Sequence, residues 1–234
     1  LELRSNKVGA AGAQSLADML QVNRALTSVN LLKNDLGGGA AAIVAAAKQN
    51  GNIKTLCGIE EGKTEVSFYR KRLKAPDAVL LSFDLEFNRA LTALDVRGNA
   101  LGDGSTALAE AVSKNQQIVT FCEVPVKQMR DDALVELDLK EKGIGACGAM
   151  VVAHLLEFSR ALKSASLADN DIGDEGAIAI SAALETNSTL TSLNLKGRSY
   201  GTKITAKGAQ AIAKMLEVNR ALKSANFSAN SIGD

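Results

Sequence analysis

Of the 234 residues 46% are apolar and 23% charged, an ordinary globular composition that excludes disorder. Lys and Arg number 27 against 26 Asp and Glu, for a net charge of +1, so the positive field that draws a chain to nucleic acid is missing. The longest small-apolar run, Ala40 to Ala47, falls far short of the roughly 18 to 20 residues of a bilayer span, which predicts no membrane insertion.

The chain opens on Leu1-Glu2-Leu3, whose alternation reads as a short strand. Ala13, Leu16, Ala17 and Leu20 then recur at i, i+3, i+4 and i+7, the apolar stripe of an amphipathic helix. Asn23-Arg24-Ala25-Leu26 leads into a second strand around Val29, and the same phrase returns at Asn88-Arg89-Ala90-Leu91, Ser159-Arg160-Ala161-Leu162 and Asn219-Arg220-Ala221-Leu222. Aligned on one apolar position, the strands fall at Leu1, Val29, Val66, Leu94, Leu137, Ala165, Leu193 and Ala225. That makes about eight repeats across residues 1–234, read as a single array with a base period of 28 and additions of 9, 15 and 4 residues. Further helical stripes follow the strands, at Ala149/Val152/Ala153/Leu156 and Ala209/Ile212/Ala213/Leu216. One strand per repeat stacks into a parallel sheet, and no unit buries its own apolar face, so neighbours must stabilise one another. With a strand at Leu1 and no polar cap repeat at either end, the chain reads as a window from a longer array.

Leu26-x-x-Val29-x-Leu31-x-x-Asn34-x-Leu36 and Leu91-x-x-Leu94-x-Val96-x-x-Asn99-x-Leu101 match the leucine-rich-repeat consensus, and Leu190-x-x-Leu193-x-Leu195 matches its first half. The chain resembles the ribonuclease-inhibitor-like class of these repeats, with units of about 28 residues. The resemblance implies a right-handed α/β solenoid, a horseshoe with its parallel sheet on the concave face and helices on the convex face. Of function it implies only a binding surface, since this fold serves many partners.

A two-repeat rhythm overlies the period. Asn34, Asn99, Asn170 and Asn230 form a structural ladder in the plain repeats, where an amide braces backbone of adjacent coils. Lys71, Lys142 and Arg198 replace Asn in the longer repeats, which predicts turns relaxed outward. Expanded loops are expected near residues 57–64, 122–135 and 196–203, on one rim, where repeat insertions often mark a binding face.

Several patterns that look chemical dissolve in the repeat. Gly143-Ile144-Gly145-Ala146-Cys147-Gly148 fits a dinucleotide turn but shares the register of Asp171-Ile172-Gly173-Asp174-Glu175-Gly176. Gly58 to Thr64 is one residue short of a phosphate loop and carries Glu60 and Glu61. The single histidine, His154, lies in a tolerant helix column, so neither a metal site nor a His-based triad is expected. Cys57, Cys122 and Cys147 lack paired spacing, which points to a reducing intracellular, cytoplasmic setting. No catalytic residue and no cofactor are expected. Interface hot spots favour Tyr, Trp and Arg, which singles out Tyr69 and Arg97 on the sheet face and Arg198, Tyr200 and Lys203 on the rim. The expected function is a non-enzymatic scaffold that binds a protein partner through sheet face and rim, within a larger assembly. Two alternatives stand beside it: a GTPase-activating protein of the leucine-rich-repeat type, implied by the resemblance, and an architectural subunit of a large machine such as a cilium.

Overall fold

The computed structural model describes residues 1–233, in two compact units, one spanning Leu1–Gln117 and the other running from Ile118 onward. The first holds helices α1 (Ala10–Val22), α2 (Gly39–Asn50), α3 (Ala75–Phe87) and α4 (Gly104–Lys114), with strands β1 (Glu65–Ser67) and β2 (Ala93–Asp95). The second holds β3 (Thr120–Phe121), α5 (Val126–Arg130), β4 (Glu136–Asp138), α6 (Gly145–Leu156), β5 (Ser164–Ser166), α7 (Gly173–Thr186), β6 (Ser192–Asn194), α8 (Ala206–Val218) and β7 (Ser224–Asn226). Strands alternate with helices and pair in parallel, the α/β arrangement of a leucine-rich-repeat fold. Val66 pairs with Leu94 in the first unit, and Leu137, Ala165, Leu193 and Ala225 pair in succession in the second. These are the columns the repeat alignment picks out.

In two of the three longer repeats a further strand position stands between the aligned ones. Thr55 bridges Ser28 in parallel, while Val29 N and Leu31 N donate to the Thr55 and Leu56 carbonyls at 3.0 and 2.9 Å. Leu56 therefore stands one repeat after Val29, and the chain turns straight back to Val66 without a helix between. Phe121 likewise carries β3, and the short α5 lies between it and Leu137. Ile53-x-Thr55-Leu56-Cys57 and Ile118-x-Thr120-Phe121-Cys122 end in cysteines that are both buried. Residues 196–203 contain no helix or strand.

Alanine stripes let the helices pack closely. Ala13, Ala17 and Leu20 of α1 and Ala149, Val152, Ala153 and Leu156 of α6 are buried, whereas Ala213 and Leu216 of α8 are exposed. The approach is tightest at Gly104, where a Cβ would lie 2.2 Å from the Ala75 carbonyl oxygen.

The asparagine ladder explains the two-repeat rhythm. Each Asn reaches back one coil. Asn34 Nδ2 donates to the Leu3 and Leu31 carbonyls at 2.8 and 2.9 Å, while its Oδ1 accepts from Asn6 N and Val8 N. Asn99 bonds the Phe68 and Val96 carbonyls and Leu73 N. Asn170 bonds the Leu139 and Ala168 carbonyls and takes Gly143 N and Ile144 N, and Asn230 bonds the Leu195 and Phe227 carbonyls and Ile204 N. One amide thus braces its own turn and the preceding one, and Lys71, Lys142 and Arg198 stand exposed. A second set, at or just after the helix ends, has the same logic: Asn50, Asn115, Asn187 and Asn219 donate back to carbonyls of the preceding helix end. Buried polar groups satisfied in this way define one stacking register.

Candidate functional site

After each strand the chain turns through a left-handed residue, at Lys33, Arg70 and Gly98 in successive full turns of the first unit. Gly98 is required there, because a Cβ would sit 2.6 Å from Arg70 Cγ. Arg70 lies across that turn and brings its guanidinium 5.1 Å from the centre of the Tyr69 ring. The Arg97 guanidinium stands 5.6 Å from the same ring. Arg97 is fixed from below by a bidentate pair with Asp95, Nε to Oδ1 and Nη2 to Oδ2 at 2.9 Å each. An exposed tyrosine, 44% accessible, is therefore clasped by two cations whose geometry is set by the β1–β2 turns. Of the residues singled out in the sequence, Tyr69 and Arg97 are brought together.

Arg198, Tyr200 and Lys203 share one turn of the second unit, between β6 and α8. Arg198 Nη1 pairs with Asp171 Oδ2 at 3.1 Å, Tyr200 is 89% accessible, and Lys203 is half-buried. Arg70 escapes sequence reading: its column holds Ser5, Lys33 and Gly98, and only its fold-back over Gly98 reveals a partner for Tyr69.

The remaining chemical groups are committed to structure. Gly143 N and Ile144 N, the amides a phosphate would need, donate to Asn170 Oδ1 at 2.7 and 3.3 Å. Cys57, Cys122 and Cys147 are free thiols and buried, and burial pushes the Cys57 thiol well above the ordinary range, which works against a thiolate nucleophile. His154 is half-buried on α6. Among the described residues, no cluster of three His, Cys, Asp or Glu side chains is placed to hold a metal ion. No helix among them is long and apolar enough to cross a membrane.

Asp84 is set apart by its complete burial against the helix-free coil. It sits on α3, fully enclosed, and accepts from Thr55 Oγ1 at 2.5 Å, Leu56 N at 2.6 Å and Cys57 N at 3.3 Å. Burial raises its carboxyl to about 7, with the bond from Thr55 as the main opposing influence. It clamps the helix-free coil to the helix of the next repeat.

Residues 1–17, 80–105 and 161–181 match the family model described as Leucine Rich repeat. These segments carry the leucine-rich repeat, and the alternating helices and parallel strands are those of that fold. No curated protein matches this leucine-rich-repeat chain. Among solved structures, the leiomodin-1 actin-binding site 2 is 26% identical with a TM-score of 0.42, over 48% of this chain and 65% of that one. The leucine-rich-repeat chain thus spans less than two thirds of that structure's length. The tropomodulin C-terminal domain of Caenorhabditis elegans is 14% identical with a TM-score of 0.25, over 88% of this chain and 91% of that one.

Proposed function

We propose that this leucine-rich-repeat chain is a non-catalytic, intracellular scaffold that holds a protein partner on the strand-end turns of its repeats. The carrying observation is Tyr69, exposed and held by Arg70 and Arg97. An amphipathic ring kept in one orientation gives contact area at low entropic cost, and Tyr and Arg dominate interface energetics. Arg198, Tyr200 and Lys203 make a second contact on the same reading, because an almost fully accessible Tyr200 offers its ring to a partner. Three buried free thiols support the intracellular setting.

Crosslinking mass spectrometry of the native protein in cell extract tests the proposal. Crosslinks from Lys63, Lys71 and Lys203 to one recurring protein are the expected result. Crosslinks confined to the helix lysines Lys48, Lys114 and Lys214 would instead place the partner on the helices and sink the turn-side surface.

A further inference from the structure

We propose that the cations on the strand-end turns of the first unit, namely Arg4, Lys33, Arg70, Lys71 and Arg72, dock an acidic extended segment of the protein partner. The inference rests on the protein-binding reading above and adds the chemistry of what is bound.

Arg4, Lys33 and Arg70–Arg72 belong to the turns that follow three strand segments of one unit, so the fold converges residues far apart in sequence. Ser5 N donates to the Leu32 carbonyl at 3.1 Å, which sets the Arg4 turn beside the Lys33 turn, and Lys33 N and Lys74 N both donate to Asp77, which brings Lys33 to the segment that follows Arg70–Arg72. Burial, then the charges of Arg4 and Lys71, hold the Lys33 ammonium below the ordinary lysine range, and Arg72 adds to the effect. Like charges on neighbouring turns are costly, and such a cation gains when an anion arrives.

Four nearby carboxylates have partners inside the protein. Asp35 pairs with Lys74 at 2.8 Å and Asp95 with Arg97 at 2.9 Å. Asp77 is buried and accepts from Lys33 N and Lys74 N at 2.6 and 2.8 Å, and Glu2 takes Arg4 N and the Asn30 amide. Arg4, Lys71 and Arg72 stand exposed, and their charges find no carboxylate in these pairings. Tyr69 adds an apolar plane beside them, with Arg70 already stacked on it.

The mixture of signs chooses between polyanions. A nucleic acid presents an unbroken phosphate row and rewards an unbroken cationic track, whereas Glu2, Asp35 and Asp95 interrupt this one. The net charge of the whole chain is only +1. A peptide sets each carboxylate separately, and arginine forks match carboxylates in bidentate pairs.

The test is fluorescence anisotropy on the full chain with three labelled probes: a short Glu-rich peptide, its Gln-for-Glu counterpart, and a single-stranded oligonucleotide of equal charge. The Glu peptide is expected to bind, and the Gln peptide to bind at least about tenfold more weakly. Affinity for the Glu peptide should fall as salt rises from about 0.05 to about 0.2 M, where screening lengths shorten. The double variant Arg4→Glu/Lys71→Glu should lose about tenfold or more in affinity with its melting temperature unchanged. If that variant fails to fold, Arg4→Gln/Lys71→Gln carries the same prediction with a smaller loss. No binding of the Glu peptide, equal binding of the Gln peptide, tighter binding of the oligonucleotide, or a variant that binds as wild type would overturn the inference. The broader reading fails separately: a crosslinked partner that loses affinity on Tyr69→Ala but not on Arg4→Glu/Lys71→Glu leaves protein binding intact and removes the acidic segment.

Discussion

Asp84→Asn removes a charge that the fold holds under protest. The carboxyl is raised from 3.8 to about 7, a little over three units, and each unit corresponds to about 1.4 kcal/mol. Between those two values the folded state binds a proton that the unfolded state has already lost. Stability from this group is therefore fully present below about pH 4 and drains away as pH rises through 7. The whole excursion is worth about 4 kcal/mol. Asn keeps the shape and the acceptor for Leu56 N, which stands 2.6 Å from Asp84 Oδ1, but it cannot ionise. Burial also raises Asp77, so the clean quantity is the difference between variant and wild type, in which other groups cancel. Urea unfolding at intervals from about pH 4 to about pH 8 should show the variant gaining on wild type by about 4 kcal/mol, most of it below pH 7. Parallel stability curves for the two proteins would refute the reasoning and mean that the Thr55, Leu56 and Cys57 donors offset burial in full.

Asn170→Ala should cost about 3 kcal/mol in the same assay, since it leaves the Gly143 and Ile144 amides without their acceptor and takes one of two donors from the Leu139 and Ala168 carbonyls; a loss under about 1 kcal/mol would mean the ladder is dispensable. Gly104→Ala should destabilise by about 2 kcal/mol despite the roughly 1 kcal/mol that Ala gains in a helix, because its Cβ would meet the Ala75 carbonyl oxygen at 2.2 Å. A stabilised Gly104→Ala protein would show that α3 and α4 can slide apart. Glu141→Gly should raise stability by about 0.5 to 1 kcal/mol, since Glu141 holds a left-handed φ of 58° that glycine adopts freely; a lower melting temperature would assign that turn to its side chain instead.

Much of this architecture is legible in the sequence, because a leucine-rich ladder repeats its apolar positions with little tolerance. Val66, Leu94, Leu137, Ala165, Leu193 and Ala225 are strand centres by periodicity alone and pair as that periodicity requires. The helix-free coil at Leu56 and the short one at Phe121 are not legible in the same way. They lack both the ladder Asn and a full helical stripe, so spacing alone counts them as insertions. Asp84 carries a usable signal, since the equivalent places in α1 and α8 hold Met19 and Met215: a carboxylate in an apolar column must find donors or stay neutral. Tyr69 and Arg97 share a strand-end column and can be paired from sequence, whereas the Arg70 contact depends on a side chain folding back over Gly98.

The protein-binding surface is tested most directly by titrating the crosslinked partner against wild type and the double variant Tyr69→Ala/Arg97→Ala, by calorimetry, with melting temperatures recorded for both. The account predicts a loss of about 2 kcal/mol or more, roughly thirtyfold in Kd, with melting temperatures that coincide. Equal affinity of the two proteins for that partner would contradict it.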